Sequence, residues 1–213
     1  MEGRTHFAVG IVAGVGVASM SGQTDDLMGV TMTIVCGGLF SILPDIDEDG
    51  SMINNFIFPS LKRSLRSLAL AVIGVIMITL YFLKGLSDWT LLTGIFATAV
   101  AYAPHRSVTH SLFALGYVSM TMYLANPSYT LVASLAYGSH LFTDALTRAG
   151  IPLFWPIKKR IGIKSLGIKM KSGGKLDDAV AMLSFVLAVI GFTYLFGQII
   201  YNEALASGWL PDN

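Results

Sequence analysis

The sequence predicts an all-α membrane protein, a single polytopic bundle of about seven transmembrane or membrane-embedded helices over residues 1–213. Three observations carry this. Hydrophobic residues make up 54% of the chain and charged residues only 13%, about half the charged share of a soluble domain. The apolar residues gather into seven stretches, at 7–20, 27–43, 68–83, 90–103, 111–125, 129–146 and 179–201. Each stretch is continuously apolar, whereas outer-membrane barrel strands alternate, so helices that satisfy their own backbone are the consistent solution. The same composition excludes a disordered chain. The single cysteine, Cys36, excludes a disulfide scaffold. A net charge of +1 excludes general nucleic-acid binding as an expectation.

Taken in order, the first stretch has 14 residues and becomes a short span if Thr5 caps its start and Ser21-Gly22 ends it. The second ends at Pro44, which should stop or redirect it. The third follows Lys62, Arg63 and Arg66; the fourth ends before Pro104; the fifth has Ser107 or Thr109 as its cap. Asn126-Pro127 makes a tight turn into the sixth. Only the seventh, with 23 residues, fully meets the length of about 20 residues per span. No cleaved signal peptide is expected, since Met1–Thr5 carries both Arg4 and Glu2 and no clear cleavage site follows the run.

Charge orients the bundle. Alternate ends collect 13 of the 14 basic residues, eight of them in the basic loop at 148–178. By the positive-inside rule these ends face the cytoplasm, which puts the N-terminus inside and the C-terminus outside a prokaryotic inner membrane. Gly173-Gly174 reads as a turn, and the basic loop as a segment lying near anionic lipid headgroups.

All four histidines, His6, His105, His110 and His140, fall at the inside ends of these stretches, together with Asp45, Asp47 and Asp144. Ionisable groups at membrane helix ends are costly and default to functional candidates. His140 and Asp144 are four apart and project from one helical face. In an extended Asp45-Ile46-Asp47 both carboxylates would point the same way. Imidazoles with carboxylates suit zinc, manganese or iron. The set exceeds the needs of one tetrahedral zinc, which points to one or two divalent ions. The expected ligands are His6, Asp45, His105, His110, His140 and Asp144, with Asp47 as a further ligand or general base. Such a centre polarises a phosphoryl group and supplies a nucleophile, and the planar fork of Arg106 suits a phosphate. The expected function is a metal-dependent hydrolase acting on a lipid-linked or membrane-adjacent phosphoester. Two other classes stand beside it. One is a metal or proton-coupled transporter, although the span centres hold few ionisable residues. The other is a non-catalytic membrane partner of a soluble regulator.

Three motifs also carry a resemblance. Leu43-Pro-Asp-Ile-Asp47, His105-Arg-Ser-Val-Thr-His110-Ser111, and Gly138-Ser-His-Leu-Phe-Thr-Asp144 followed by Thr147-Arg-Ala-Gly-Ile-Pro-Leu-Phe-Trp-Pro156 together resemble the YdjM family. His6 belongs to the same pattern, and the resemblance runs from there to about Asp178. It implies a bacterial or archaeal inner-membrane protein described as LexA-binding and as a metal-dependent hydrolase, and so a soluble regulator as partner. The chain departs from the pattern at Glu48, where histidine commonly follows the Asp-Ile-Asp. It departs again near the start of the last helix, where Asp177 stands closest to the usual glutamate and would be an additional ligand or orienting group. More loosely, the His/Asp-rich helical set is similar to zinc-dependent phospholipase C, which implies phosphoester hydrolysis.

Overall fold

The computed structural model describes all residues except 22–25, 105, 158, 163–170 and 210–213. Among the described residues the chain forms eight α-helices and no strand. They are α1 (Gly3–Met20), α2 (Leu27–Ile42), α3 (Met52–Ile57), α4 (Arg63–Lys84), α5 (Asp88–Val100), α6 (Leu112–Ala125), α7 (Thr130–Ala145) and α8 (Lys175–Ala206). Each of the seven apolar stretches lies on one of these; only the short α3 was not expected.

Among the described residues, three segments are long and apolar enough to cross a membrane: Leu27–Asp47, Arg63–Lys84 and Lys175–Ala206. Asp88–Val100 and Leu112–Ala125 are shorter apolar helices. The expectation that only the last stretch is long enough is therefore corrected. The second gains a 3₁₀ turn beyond its α-helix, and the third gains a polar first turn through Arg63, Ser64 and Arg66. Large apolar side chains stay exposed along α4 and α8, among them Val72, Ile76, Phe185 and Ile190. Apolar surface on this scale is what a bilayer, not water, would cover.

Packing in the middle of the bundle uses small residues, as membrane helix pairs do. On α1 and α2 the backbones meet at Gly10 and Gly37. A Cβ added to either glycine would lie 2.4 Å from the carbonyl oxygen of the other. Gly74 of α4 and Gly94 of α5 repeat the arrangement. Around these contacts Val15, Ala18, Val30, Ile34 and Leu195 join α1 and α2 to α8. Ala114, Val118, Tyr137, Leu141 and Ile151 join α6 to α7 and to the loop that follows it.

The helix ends differ from expectation in three places. Thr5 does not cap α1: the helix begins at Gly3, and the Thr5 hydroxyl donates to Asp177 Oδ1 at 2.6 Å. Neither Ser107 nor Thr109 caps α6; Ser111 does, accepting from the Ala114 amide at 3.2 Å. Asp45-Ile46-Asp47 is not extended but forms a 3₁₀ turn, Leu43–Asp47, continuous with α2. Pro44 sits at the first positions of that turn, where its fixed φ is tolerated and its missing N–H is not needed. Ile46 then buries against Ile42, Ile53, Leu70 and Val100. The two aspartates consequently point to different partners. Asn126 behaves as expected, its side chain accepting from the Ser128 amide at 3.1 Å in the turn before α7.

Candidate metal centre

The start of α1, the end of α2, the turn before α6 and the end of α7 meet at one end of the bundle. His6, His110 and His140 are at most 1% exposed there, and so is Asp144. Burying a carboxylate and three imidazoles together is costly unless each polar atom is matched. The matching defines the site.

His140 Nδ1 lies 2.7 Å from the Ser41 carbonyl oxygen. A carbonyl can only accept, so Nδ1 carries the proton and Nε2 the lone pair. The Thr109 hydroxyl donates to Asp47 Oδ2 at 2.6 Å and lies 3.0 Å from His110 Nδ1. With its one proton committed to Asp47, the hydroxyl accepts from His110 Nδ1–H, which turns Nε2 toward His140 and Asp45. Thr143 directs its proton to the helix carbonyls of Ser139 and His140, at 2.9 and 3.0 Å, and lies 3.0 Å from His6 Nδ1. It assigns the same tautomer to His6. Three separate acceptors thus turn three Nε2 lone pairs inward.

Those lone pairs meet one another and two carboxylates. His110 Nε2 and His140 Nε2 are 3.3 Å apart. Asp45 Oδ1 is 3.4 Å from the first and 3.6 Å from the second. His6 Nε2 is 3.2 Å from Asp144 Oδ1 yet has no hydrogen-bond partner. The His6 ring stacks on His140 with centroids 3.7 Å apart. Two groups of ligand atoms result, His6/His140/Asp144 and Asp45/His110/His140, each within 4.8 Å and both using His140. Imidazole nitrogens and carboxylate oxygens gathered this closely have the chemistry of a divalent-cation site. The residues present fit such an ion.

Two cations border the cluster. The Met1 ammonium pairs with Asp144 Oδ1. An Arg106 terminal nitrogen lies 3.0 Å from Asp144 Oδ2. Arg106 holds a left-handed backbone, φ 54°, which for a non-glycine residue costs of order 1–3 kcal/mol and tends to mark functional sites. A cavity of about 600 Å³, lined by Met1, Arg4, Asp45, Glu48, Arg106 and Ser172, leads onto Asp45 and Arg106.

The structure brings His6, Asp45, His110, His140, Asp144 and Arg106 together. Asp47 stands behind His110, bound to Thr109. Asp177 lies outside both ligand groups and acts on the backbone of α1. It accepts from Thr5 Oγ1 at 2.6 Å, the Glu2 amide at 3.0 Å and the Gly173 amide at 2.8 Å. His105 lies outside the described residues. Sequence reasoning missed Ser41, Thr109 and Thr143, which fix the ring tautomers. Thr109 and Thr143 are adjacent to His110 and three residues after His140, but a hydroxyl acquires this role only when the fold supplies its acceptor. Tyr137 was also missed; its buried hydroxyl donates to the Thr109 carbonyl at 2.5 Å and holds the turn that carries His110.

Fold and site together define a class: an α-helical membrane protein with a buried His/Asp cluster at one end of its bundle. The family is also shown. The model of the YdjM inner membrane protein family matches residues 1–203, and the chain belongs to that family. It is similar to the inner membrane protein YdjM of Escherichia coli (strain K12), 35% identical over 92 residues, covering 40% of this chain and 46% of the relative. The inner membrane protein YdjM of Shigella flexneri matches equally, at 35% over 92 residues. The aligned segment spans less than half the length of these curated relatives. No solved structure matches. The family and the apolar helices support an inner-membrane location.

Proposed function

We propose that this chain is a membrane-embedded, metal-dependent hydrolase that acts on a phosphoester at the cytoplasmic membrane face, N-terminus inside and C-terminus outside. The observation that carries the reading is the convergence of three Nε2 lone pairs, each fixed by a separate acceptor on Nδ1. His6, His110 and His140 would hold the ion with Asp45 and Asp144; zinc fits the donor set first, manganese or iron(II) next. His140 has one nitrogen to give, so the two groups are halves of one centre sharing that ring, holding one or two ions. When bound, the ion supplies Lewis acidity toward a phosphoryl oxygen and a nucleophile at neutral pH.

The protein's own groups do the rest. Ser41, Thr109 and Thr143 lock the imidazoles, so little reorganisation is needed at the moment of reaction. Asp47 is read as the group that orients Thr109 and through it His110, because its carboxylate is already committed there. Arg106 presents a planar, permanently charged fork beside Asp144, placed to orient a phosphate. Burial of the cluster excludes bulk water and strengthens each of these interactions.

A panel of phospholipid and nucleotide phosphoesters, assayed with metal-loaded protein in detergent, tests this. Turnover that falls by about 10²-fold or more in Arg106→Lys, with metal retained, supports the reading. Full metal occupancy with no turnover on any member would favour a non-catalytic partner instead.

A further inference from the structure

A second cavity, of about 510 Å³, also borders Arg106 and is lined in part by Pro104, Arg106, Ser107, Pro152, Trp155 and Arg160. Two features set it apart. Among its described lining residues are two arginines and no carboxylate. Arg106 Nε and Ser107 Oγ are both buried and have no hydrogen-bond partner. A buried donor without an acceptor is costly, and here two such atoms belong to neighbouring residues that line one basic cavity. The missing partner has the chemistry of an oxyanion.

The wall opposite is fixed in place. Ile151 and Ile161 exchange backbone hydrogen bonds of 2.9 and 2.8 Å, which pins Arg160 beside Ile161. Gly150 makes the pairing possible: its φ is 59°, and a Cβ there would lie 2.7 Å from the Ile161 carbonyl oxygen. The Leu112 amide donates to the Leu153 carbonyl at 2.9 Å, tying the loop to the first turn of α6. Trp155 packs near Phe113 of α6, ring centroids 5.6 Å apart. Trp155, Phe154 and Ile157 nonetheless remain well exposed, as aromatic residues at a membrane–water boundary do.

We propose that this cavity binds a phosphate group, adjacent to and separate from the one oriented at the His/Asp cluster. Arg106 lines both cavities, with a terminal nitrogen beside Asp144 and an Nε that still lacks an acceptor, and a planar fork with several donors can serve both places. Ser107 and Arg160 complete the cradle. Resting on the hydrolase reading above, the inference narrows the substrate class to phosphoesters that carry a second phosphate, such as diphosphate esters, presented at the membrane boundary by the Trp155 loop.

The test uses the full chain in detergent with Trp89→Phe and Trp209→Phe, which leaves Trp155 as the sole tryptophan. Inorganic phosphate and pyrophosphate are titrated while Trp155 emission is followed. The same protein is then exposed to phosphatidylglycerol or phosphatidylcholine vesicles. A saturable change that weakens about tenfold or more in Arg160→Gln, and is partly restored in Arg160→Lys, supports the site. A response to free phosphate assigns a soluble source; a response to phosphatidylglycerol vesicles alone assigns a lipid headgroup. No saturable change with any probe, or a change indifferent to Arg160→Gln, overturns it. Metal content is measured in the same samples. Metal retained without phosphate binding removes this cavity alone, whereas phosphate binding without metal removes the hydrolase reading and leaves the cavity.

Discussion

His110 Nε2 and His140 Nε2 face each other at 3.3 Å, each with its ring proton on the far side. Two imidazoles that each keep a proton on Nδ1 have no reason to turn their Nε2 lone pairs on each other. Their lone pairs repel, and neither can donate to the other. Nearby carboxylates, Asp45 and Asp144, attract a positive charge rather than another lone pair. The proposed divalent cation between them would resolve the conflict.

The threonines behind the rings should matter almost as much as the rings. Thr109→Val removes the acceptor that fixes His110 and the hydroxyl that donates to Asp47 Oδ2. Metal affinity should fall about 10–100-fold. Thr109→Ser keeps the hydroxyl and should stay near wild type. Competition with a chromophoric chelator measures both, and equal affinity in Thr109→Val and wild type would show that the tautomer is not set there.

Stability should depend on the ion. A ligand that binds only the folded state adds about 2.7 kcal/mol at a hundred times its Kd. Chelation should therefore lower the thermal midpoint, and zinc should restore it. The His140→Ala midpoint should not respond to chelator at all.

Gly37→Leu should prevent α1 from seating on α2, because even a Cβ there meets the Gly10 carbonyl oxygen. Overpacking of this kind costs about 1–3 kcal/mol or more. The expected result is aggregation or loss of the monodisperse peak in size-exclusion chromatography. Gly16→Ala is the control: nothing lies within 4 Å of a Cβ at Gly16, so its profile should match wild type.

Asp177→Asn should destabilise the fold without stripping the metal. The buried carboxylate accepts from Thr5, Glu2 and Gly173 and anchors the start of α1 to α8. Weakening bonds to a buried charge should cost on the order of 2–3 kcal/mol. A lower denaturation midpoint with undiminished metal content fits an orienting role. Metal loss at unchanged stability would make Asp177 a ligand instead.

Much of this architecture was legible in the sequence. Continuous apolar runs announced helices, and His6, His110 and His140, expected together at the ends of the apolar stretches, do meet in the fold. The His140/Asp144 spacing placed both side chains on one face. What was not legible depended on tertiary contact. The Asp45 and Asp47 carboxylates diverge because Ile46 seeks the core and closes a 3₁₀ turn, which alternation along an extended strand could not show. Thr5 looks like a cap in sequence, but its partner, Asp177, is 172 residues away. Arg106 was visible as a charge, but not as a left-handed residue whose fork borders two cavities.

The metal content of the purified protein tests the central claim most directly. Element analysis of wild type should find zinc, or another divalent transition metal, at about one or two ions per chain. In His140→Ala, which takes away the ring common to both ligand groups, the content should fall close to zero while the protein still elutes as a folded species. A metal-free wild type after purification in zinc-supplemented buffer, or a His140→Ala protein with undiminished metal, would contradict the account.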